Sequence, residues 1–177
     1  MLRRRGIPTS LVLVGGILLS GGSLATPSGA ATSGSQATIC TWGGTPAAPT
    51  GTFVFSRGLT NTPSADPIHA TATGELAGSA GCAGTVTFQG DFDPGATCNS
   101  FMIRGTVAGL AGVARFEGGG GVLSADVLYD KDGNVVGSDQ PQVATEANLL
   151  HATDCNTAKG FKSGTFSSTI ELYGGAQ

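Results

Sequence analysis

The sequence predicts a single all-β domain: one antiparallel β-barrel of about eight to nine short strands, with a β-sandwich as the alternative. Three observations carry that reading. Apolar and polar residues alternate with period two along most of the chain, whereas helical spacing is nearly confined to the N-terminal leader. Glycine, 30 of 177 residues, recurs throughout and punctuates the alternating stretches. Turn signals such as Asn61-Thr62-Pro63, Asp93-Pro94-Gly95 and Asp132-Gly133-Asn134 fall between them. Gly74, Gly90 and Gly105 lie inside strand patterns, where glycine lets a sheet bend and curl shut, and this favours the barrel. The immunoglobulin-type signature, a tryptophan between two paired cysteines, is missing; Trp42, the only tryptophan, follows Cys40 by two positions.

The chain opens MLRRRGIPTSLVLVGGILLSGGSLATPSGAA. Arg3, Arg4 and Arg5 form a basic start, Leu11 to Leu19 a short apolar run, and Ser23-Leu24-Ala25 a small-x-small cleavage pattern. Residues 1–25 therefore read as a secretory signal peptide, with cleavage as late as residue 31 also fitting. Gly6 and Pro8 after the arginines point to the general export route rather than the twin-arginine one. The apolar run is too short and glycine-broken for a membrane anchor, which needs about 20 residues. Residues 26–37 are small and polar and predict a flexible arm, leaving 38–177 as the domain.

Loss of the leader leaves six basic against twelve acidic residues, a net charge near −6. Scattered charge of that sign gives no footprint for nucleic acid or an anionic membrane. The expected partner is an extracellular protein, a glycan or a small molecule, with no membrane anchor in the mature form.

Strands are predicted in order at 38–43, around Phe53 and Phe55, at 67–77, in GTVTFQGDF, in FMIRGTVAG, at 113–118, 122–129 and 134–137, weakly at 142–147, and in GTFSSTIEL. Taking the apolar face of each gives a predicted core of Phe53, Phe55, Val86, Phe88, Phe92, Phe101, Ile103, Val107, Phe116, Phe166, Ile170 and Leu172. Each buried phenylalanine stabilises by about 2–3 kcal/mol, enough for a two-sided or closed sheet at this length.

Four cysteines, Cys40, Cys82, Cys98 and Cys155, all follow the leader, and an even count in an exported chain predicts two disulfides. If 84–92 and 100–109 form a hairpin, Cys82 lies at its foot and Cys98 at its top. A nine-residue strand spans about 30 Å, and bridged Cα atoms lie within about 7 Å. That geometry excludes Cys82–Cys98, and with it Cys40–Cys155. Two patterns stay open: Cys40–Cys82 with Cys98–Cys155, slightly favoured, or Cys40–Cys98 with Cys82–Cys155. In the first, Cys155 pins the turn-rich 138–163 segment against the top of the hairpin.

Catalytic signatures are sparse. His151, Asp154 and Cys155 sit close in LLHATDCNTAKG, but a zinc site needs three or four ligands, usually with a close Cys or His pair, and no C-x-x-C or H-x-x-x-H exists. Cys155 reads as a disulfide anchor. A serine nucleophile would use His69 or His151 as base, yet no G-x-S-x-G elbow is present. YDKDGNVVG resembles a calcium loop until its sixth and twelfth positions, which hold Val135 and Pro141, so a hairpin turn is the reading. GGGG at 118–121 lacks a following lysine and reads as a flexible corner or bulge. Neither a metal nor a cofactor is expected.

Candidate ligand contacts are His69, Glu75, Arg104, Arg115 and Glu117, polar residues that would line a small pocket if their faces turned into a barrel lumen. On the simpler reading they cover a solvated outer face. Trp42, beside a disulfide and a Gly/Pro-rich loop, reads as a core edge or as an exposed sugar or protein contact.

The stretch GTVAGLAGVARFEGGGGVL resembles the glycine-punctuated segments of secreted dirigent-like and allene-oxide-cyclase-like barrels. The leader, the CTWGG opening and the scarcity of lysine resemble small secreted actinobacterial (high-GC Gram-positive) proteins of unknown function. These resemblances imply an exported compartment and a barrel, and no activity. The expected function is a secreted, disulfide-stabilised, non-enzymatic binding module. The alternative is a small barrel enzyme or carrier, of the cyclase/dirigent or lipocalin type, working in a polar lumen.

Thiol titration of the denatured, unreduced mature protein is expected to find no free thiol; two or more would contradict the disulfide reading.

Overall fold

Alternation along the strands becomes a wall with an inside and an outside. The structure, a computed structural model, describes residues 36–120, 126–143 and 153–174. In chain order the strands are β1 (Thr38–Trp42), β2 (Gly44–Thr45), β3 (Ala48–Pro49), β4 (Gly51–Leu59), β5 (Ile68–Gly78), β6 (Gly84–Phe92), β7 (Phe101–Ala108), β8 (Arg115–Gly120), β9 (Asp126–Tyr129), β10 (Val135–Val143) and β11 (Phe161–Leu172), with one 3-10 turn at Asp154–Asn156. From β4 to β11 each strand pairs antiparallel with the next, and β11 returns to β4 through Gly164↔Phe53 and Phe166↔Gly51. Eight strands thus close a barrel, and the sandwich alternative falls away.

β1 lies outside that ring of eight. It pairs with β11 from Thr38↔Leu172 to Trp42↔Ser168 and with β5 from Cys40↔Gly78 to Trp42↔Leu76. β4 fills the same gap between β5 and β11 farther along, so β1 and β4 share one slot end to end. Residues 43–50 leave the slot as the small β2–β3 hairpin and are pinched at its base. There the Gly43 carbonyl accepts from the amides of Thr50 (2.7 Å) and Gly51 (2.9 Å), while the Gly43 amide donates to Glu75 (2.9 Å). Gly43 has φ +75°, and a Cβ there would stand 2.7 Å from the Gly51 Cα, so only glycine fits.

The predicted core faces inward. Phe53, Phe55, Val86, Phe88, Phe92, Phe166 and Ile170 are buried, and Phe101, Ile103, Val107, Phe116 and Leu172 are partly buried against them. Leu59, Ile68, Leu76 and Leu128 complete the set. Aromatic contacts run round the inside: Phe53 to Phe55 (5.1 Å) and Phe161 (5.4 Å), Phe55 to Phe92 (4.8 Å), Phe92 to Phe101 (5.2 Å) and Phe88 to Phe116 (5.2 Å). Most are edge-to-face, the geometry that adds about 0.5–1.5 kcal/mol beyond area burial. Gly90 and Gly105 pair directly across β6 and β7. A Cβ on either would meet the Phe88 ring, at 2.5 and 2.6 Å, so the missing side chains make room for that ring.

Both disulfides form in the favoured pattern, Cys40–Cys82 and Cys98–Cys155. The first ties β1 to the β5–β6 connection at one barrel end. The second ties the β6–β7 connection to the 3-10 turn at the other. Around it the Asn61 amide donates to the Cys155 carbonyl (3.1 Å), and side-chain bonds link Asn61 to Asn99 (3.1 Å) and Asn156 (2.8 Å).

Several sequence boundaries need correction. Gly118, Gly119 and Gly120 form no corner; they continue β8, paired with Ile103, Met102 and Phe101. Glycine serves there because the Phe101 ring and the Asp126 carboxylate occupy the space of a Cβ at Gly120 and Gly118. β10 runs to Val143 rather than stopping at 137, because its polar SDQPQ stretch pairs residue by residue with β11 up to Val143↔Phe166. The 138–163 segment is therefore strand at its start, and the predicted strand at 142–147 is its tail, with 144–147 outside the described residues. The signal peptide and most of the arm also lie outside them. Asp132-Gly133 is the expected turn, with Gly133 at φ +87°.

Phe88→Ala should lower unfolding free energy in urea by about 3–5 kcal/mol. Its outward neighbour Gln89→Ala should stay within about 0.5 kcal/mol. A Phe88→Ala loss below about 1 kcal/mol would mean that the inward face is misassigned.

Candidate functional site

The inward side chains do not meet at the barrel centre. They line a cavity of about 420 Å³ that is partly open to solvent. Its walls include Phe53, Phe55, Phe88, Phe92, Phe101, Phe116 and Trp42, with Cys98, Asn99 and Cys155 at one end. Small-molecule sites commonly run from about 300 to 1,000 Å³ and are mostly apolar. The lumen has that size and character.

One carboxyl interrupts the apolar wall. The β10 register sets Asp139 opposite Ile170 on β11 and opposite Asp126 on β9, so both aspartates point inward. Asp139 is 5% exposed and lines the cavity; Asp126, one strand over, is 8% exposed. The Ser168 hydroxyl donates to Asp139 Oδ1, and the Gly119 amide donates to Asp126 Oδ1 (2.9 Å). Burial pushes the Asp139 carboxyl up to about 7; the Ser168 hydroxyl opposes the rise and the Asp126 charge adds to it. Burial also raises Asp126, against the Gly119 amide. A carboxyl raised to about 7 is present in both protonation states near neutral pH. It can donate a hydrogen bond, accept one, or balance a cation.

The residues read from sequence as ligand contacts lie elsewhere. Trp42 alone lines the cavity: it is buried, its Nε1–H donates to the Val86 carbonyl (3.2 Å), and its ring meets Phe166 edge-on at 4.6 Å. It is a core edge, not an exposed contact. His69 is exposed beside Asp91 (3.3 Å), Glu75 accepts from the Thr85 hydroxyl (2.6 Å), and Arg104 pairs with Asp93 (3.2 Å). Arg115 reaches Glu117 (3.9 Å) and lies over the Tyr129 ring (4.6 Å). These five polar residues spread over the outer faces of β5, β7 and β8 and do not converge. The polar lumen of the alternative reading is thus corrected to an apolar one. In a closed barrel the core face is the lumen face, so residues that alternate with the core must point out.

His151 lies outside the described residues. Among the described residues no three His, Cys, Asp or Glu side chains come together as metal ligands. At the YDKDGN turn the Asp130 carboxylate accepts from the Asp132 and Asn134 amides (2.8 Å each) and the Asn134 side chain (2.9 Å). These bonds, that of the Asn134 side chain first, hold its pKa below the ordinary value.

Asp126 and Asp139 were not singled out from sequence. A signal existed for Asp126, which shares a face with Leu128 in DVLY. None existed for Asp139, whose neighbours are all small or polar.

Comparison with family models, with curated proteins and with solved structures finds no match to the chain.

The raised carboxyl makes stability depend on pH. The unfolded chain binds no proton at Asp139 above about 4, whereas the folded one holds it up to about 7. Its stabilising share is therefore fully present below the unfolded value and is lost as pH rises through the folded one. Asp139→Asn should flatten the decline in urea stability between pH 4.5 and 8. It should also gain on the wild type at pH 8, by up to about 4 kcal/mol. Parallel pH profiles for the two proteins would show that Asp139 is not a buried acid.

Proposed function

We propose that the protein is an exported β-barrel that binds an apolar small molecule in its lumen, outside the cell. The observation that carries this reading is the aromatic-walled cavity of about 420 Å³, partly open to solvent. Well-packed interiors leave few voids larger than a water molecule, because empty space forfeits dispersion contacts. A lumen of this size is space for an occupant. Export is supported by the leader pattern and by the two disulfides, which persist in oxidising compartments.

A carrier fits better than a catalyst. Among the described residues the polar side chains on the lumen wall are Asn99, at one end, and Asp139. Among the described residues no histidine, free thiol or cation stands beside them to complete a nucleophile or an acid–base pair across a substrate.

The fluorescence of N-phenyl-1-naphthylamine should rise on addition of the protein and saturate near one equivalent. Ile103→Trp, which fills the lumen from β7, should abolish that rise. Met102→Trp, one residue along on the exposed face, should leave it intact. Equal loss in both variants, or an unsaturable signal in the wild type, would place binding outside the barrel.

A further inference from the structure

We propose that the lumen selects an apolar ligand carrying a basic nitrogen, whose ammonium sits against Asp139. The proposal rests on the lumenal reading above and names the chemistry of its ligand. Its basis is a charge imbalance at the wall. Asp139 lines the cavity, and Asp126 stands directly opposite it on the adjoining strand, both nine-tenths buried or more. From β11 the residues facing Asp139 are Ser168 and Ile170, neither of them charged. Every lysine and arginine among the described residues is exposed: Arg57 pairs with Asp66, Arg104 with Asp93, Arg115 with Glu117 and Lys131 with Asp132, and Lys159 and Lys162 face solvent. The barrel places two carboxyls inside and, among these residues, no cation to balance them.

Among the described residues the two acids have hydrogen-bond partners but no counter-charge. Ser168 and the Gly119 amide each donate one hydrogen bond, which fixes orientation without supplying charge. Burying a carboxylate without a counter-charge is costly, so a cation brought in by the ligand gains what the protein withholds. An ammonium offers three donors to the carboxyl while the skeleton takes the apolar wall. A neutral alcohol of the same shape would gain the wall contacts and leave the imbalance as it was.

The test compares 1-naphthylmethylamine with 1-naphthylmethanol by titration calorimetry in two buffers of different ionisation enthalpy. At pH 8 the amine should bind at least about tenfold more tightly, an effect of one charge-assisted bond. At pH 6 its binding should release about one proton, because Asp139 must ionise to meet the cation, and the alcohol should release none. In Asp139→Asn the amine-to-alcohol ratio should fall to near one. The proton count is read on the wild type and so does not depend on the variant folding. Equal affinities of amine and alcohol in the wild type, or amine binding without proton release at pH 6, overturn the amine assignment while leaving lumenal binding standing. If neither compound nor N-phenyl-1-naphthylamine binds, the lumenal reading itself falls, and this proposal with it.

Discussion

Closure of the sheet between β11 and β4 is the constraint on which the rest of the structure depends. It joins Phe53 to Gly164 and Gly51 to Phe166, residues more than a hundred positions apart, so the ring closes only with every intervening hairpin in register. Long-range pairing of this kind carries a loop-closure cost that local hairpins do not. The seam is also divided, since β1 and β4 occupy one slot in tandem with the β2–β3 excursion between them. The two disulfides act where this arrangement is weakest. Cys40–Cys82 secures the short β1 segment, and Cys98–Cys155 holds the approach to β11 against the opposite end. With separations of 42 and 57 residues, each removes about 4 kcal/mol of unfolded-chain entropy in the loop-closure account.

Once closed, the barrel sorts side chains by parity. Inward positions carry phenylalanine, isoleucine, valine and leucine, and outward positions carry threonine, glutamine and the ion pairs. Where an inward position would crowd a ring or a carboxylate, the chain has glycine. Gly90 and Gly105 clear the Phe88 ring, and Gly118 clears the Asp126 carboxylate. The glycines of alternating strands are thus part of the inner surface as much as of its curvature.

That parity explains what the sequence disclosed and what it did not. The inward set from Phe53 to Leu172 was legible because single apolar residues alternate with single polar ones, and a one-residue slip would have exposed the whole set. The disulfide pattern was legible because strand length alone forbids Cys82–Cys98. The extension of β10 was hidden, since SDQPQ has no alternation and a proline, and its strand character comes wholly from pairing with β11. The site was hidden for the same reason. His69, Arg104 and Arg115 drew notice because they are chemically conspicuous, yet polar residues alternating with a core must face outward. The residues that matter to the lumen are polar ones standing in the apolar phase, Asp126 beside Leu128 and Asp139 opposite Ile170. Asp139 acquires its phase only from a neighbouring strand some thirty residues farther along the chain.

Two features of the interior work against stability. A cavity forfeits dispersion contacts that larger side chains would supply, and a buried acid whose folded pKa lies near 7 opposes folding at neutral pH. Either would vanish with a simple substitution, a bulkier residue at Ile103 or Val107 or an asparagine at Asp139. Neither is forced by the barrel, because eight strands make an interior that side chains can fill outright. They also coincide: the carboxyl lies on the cavity wall and not in a packed part of the core. A void and a buried charge, each destabilising alone, become mutually consistent when a third body supplies apolar volume for the one and a counter-charge for the other.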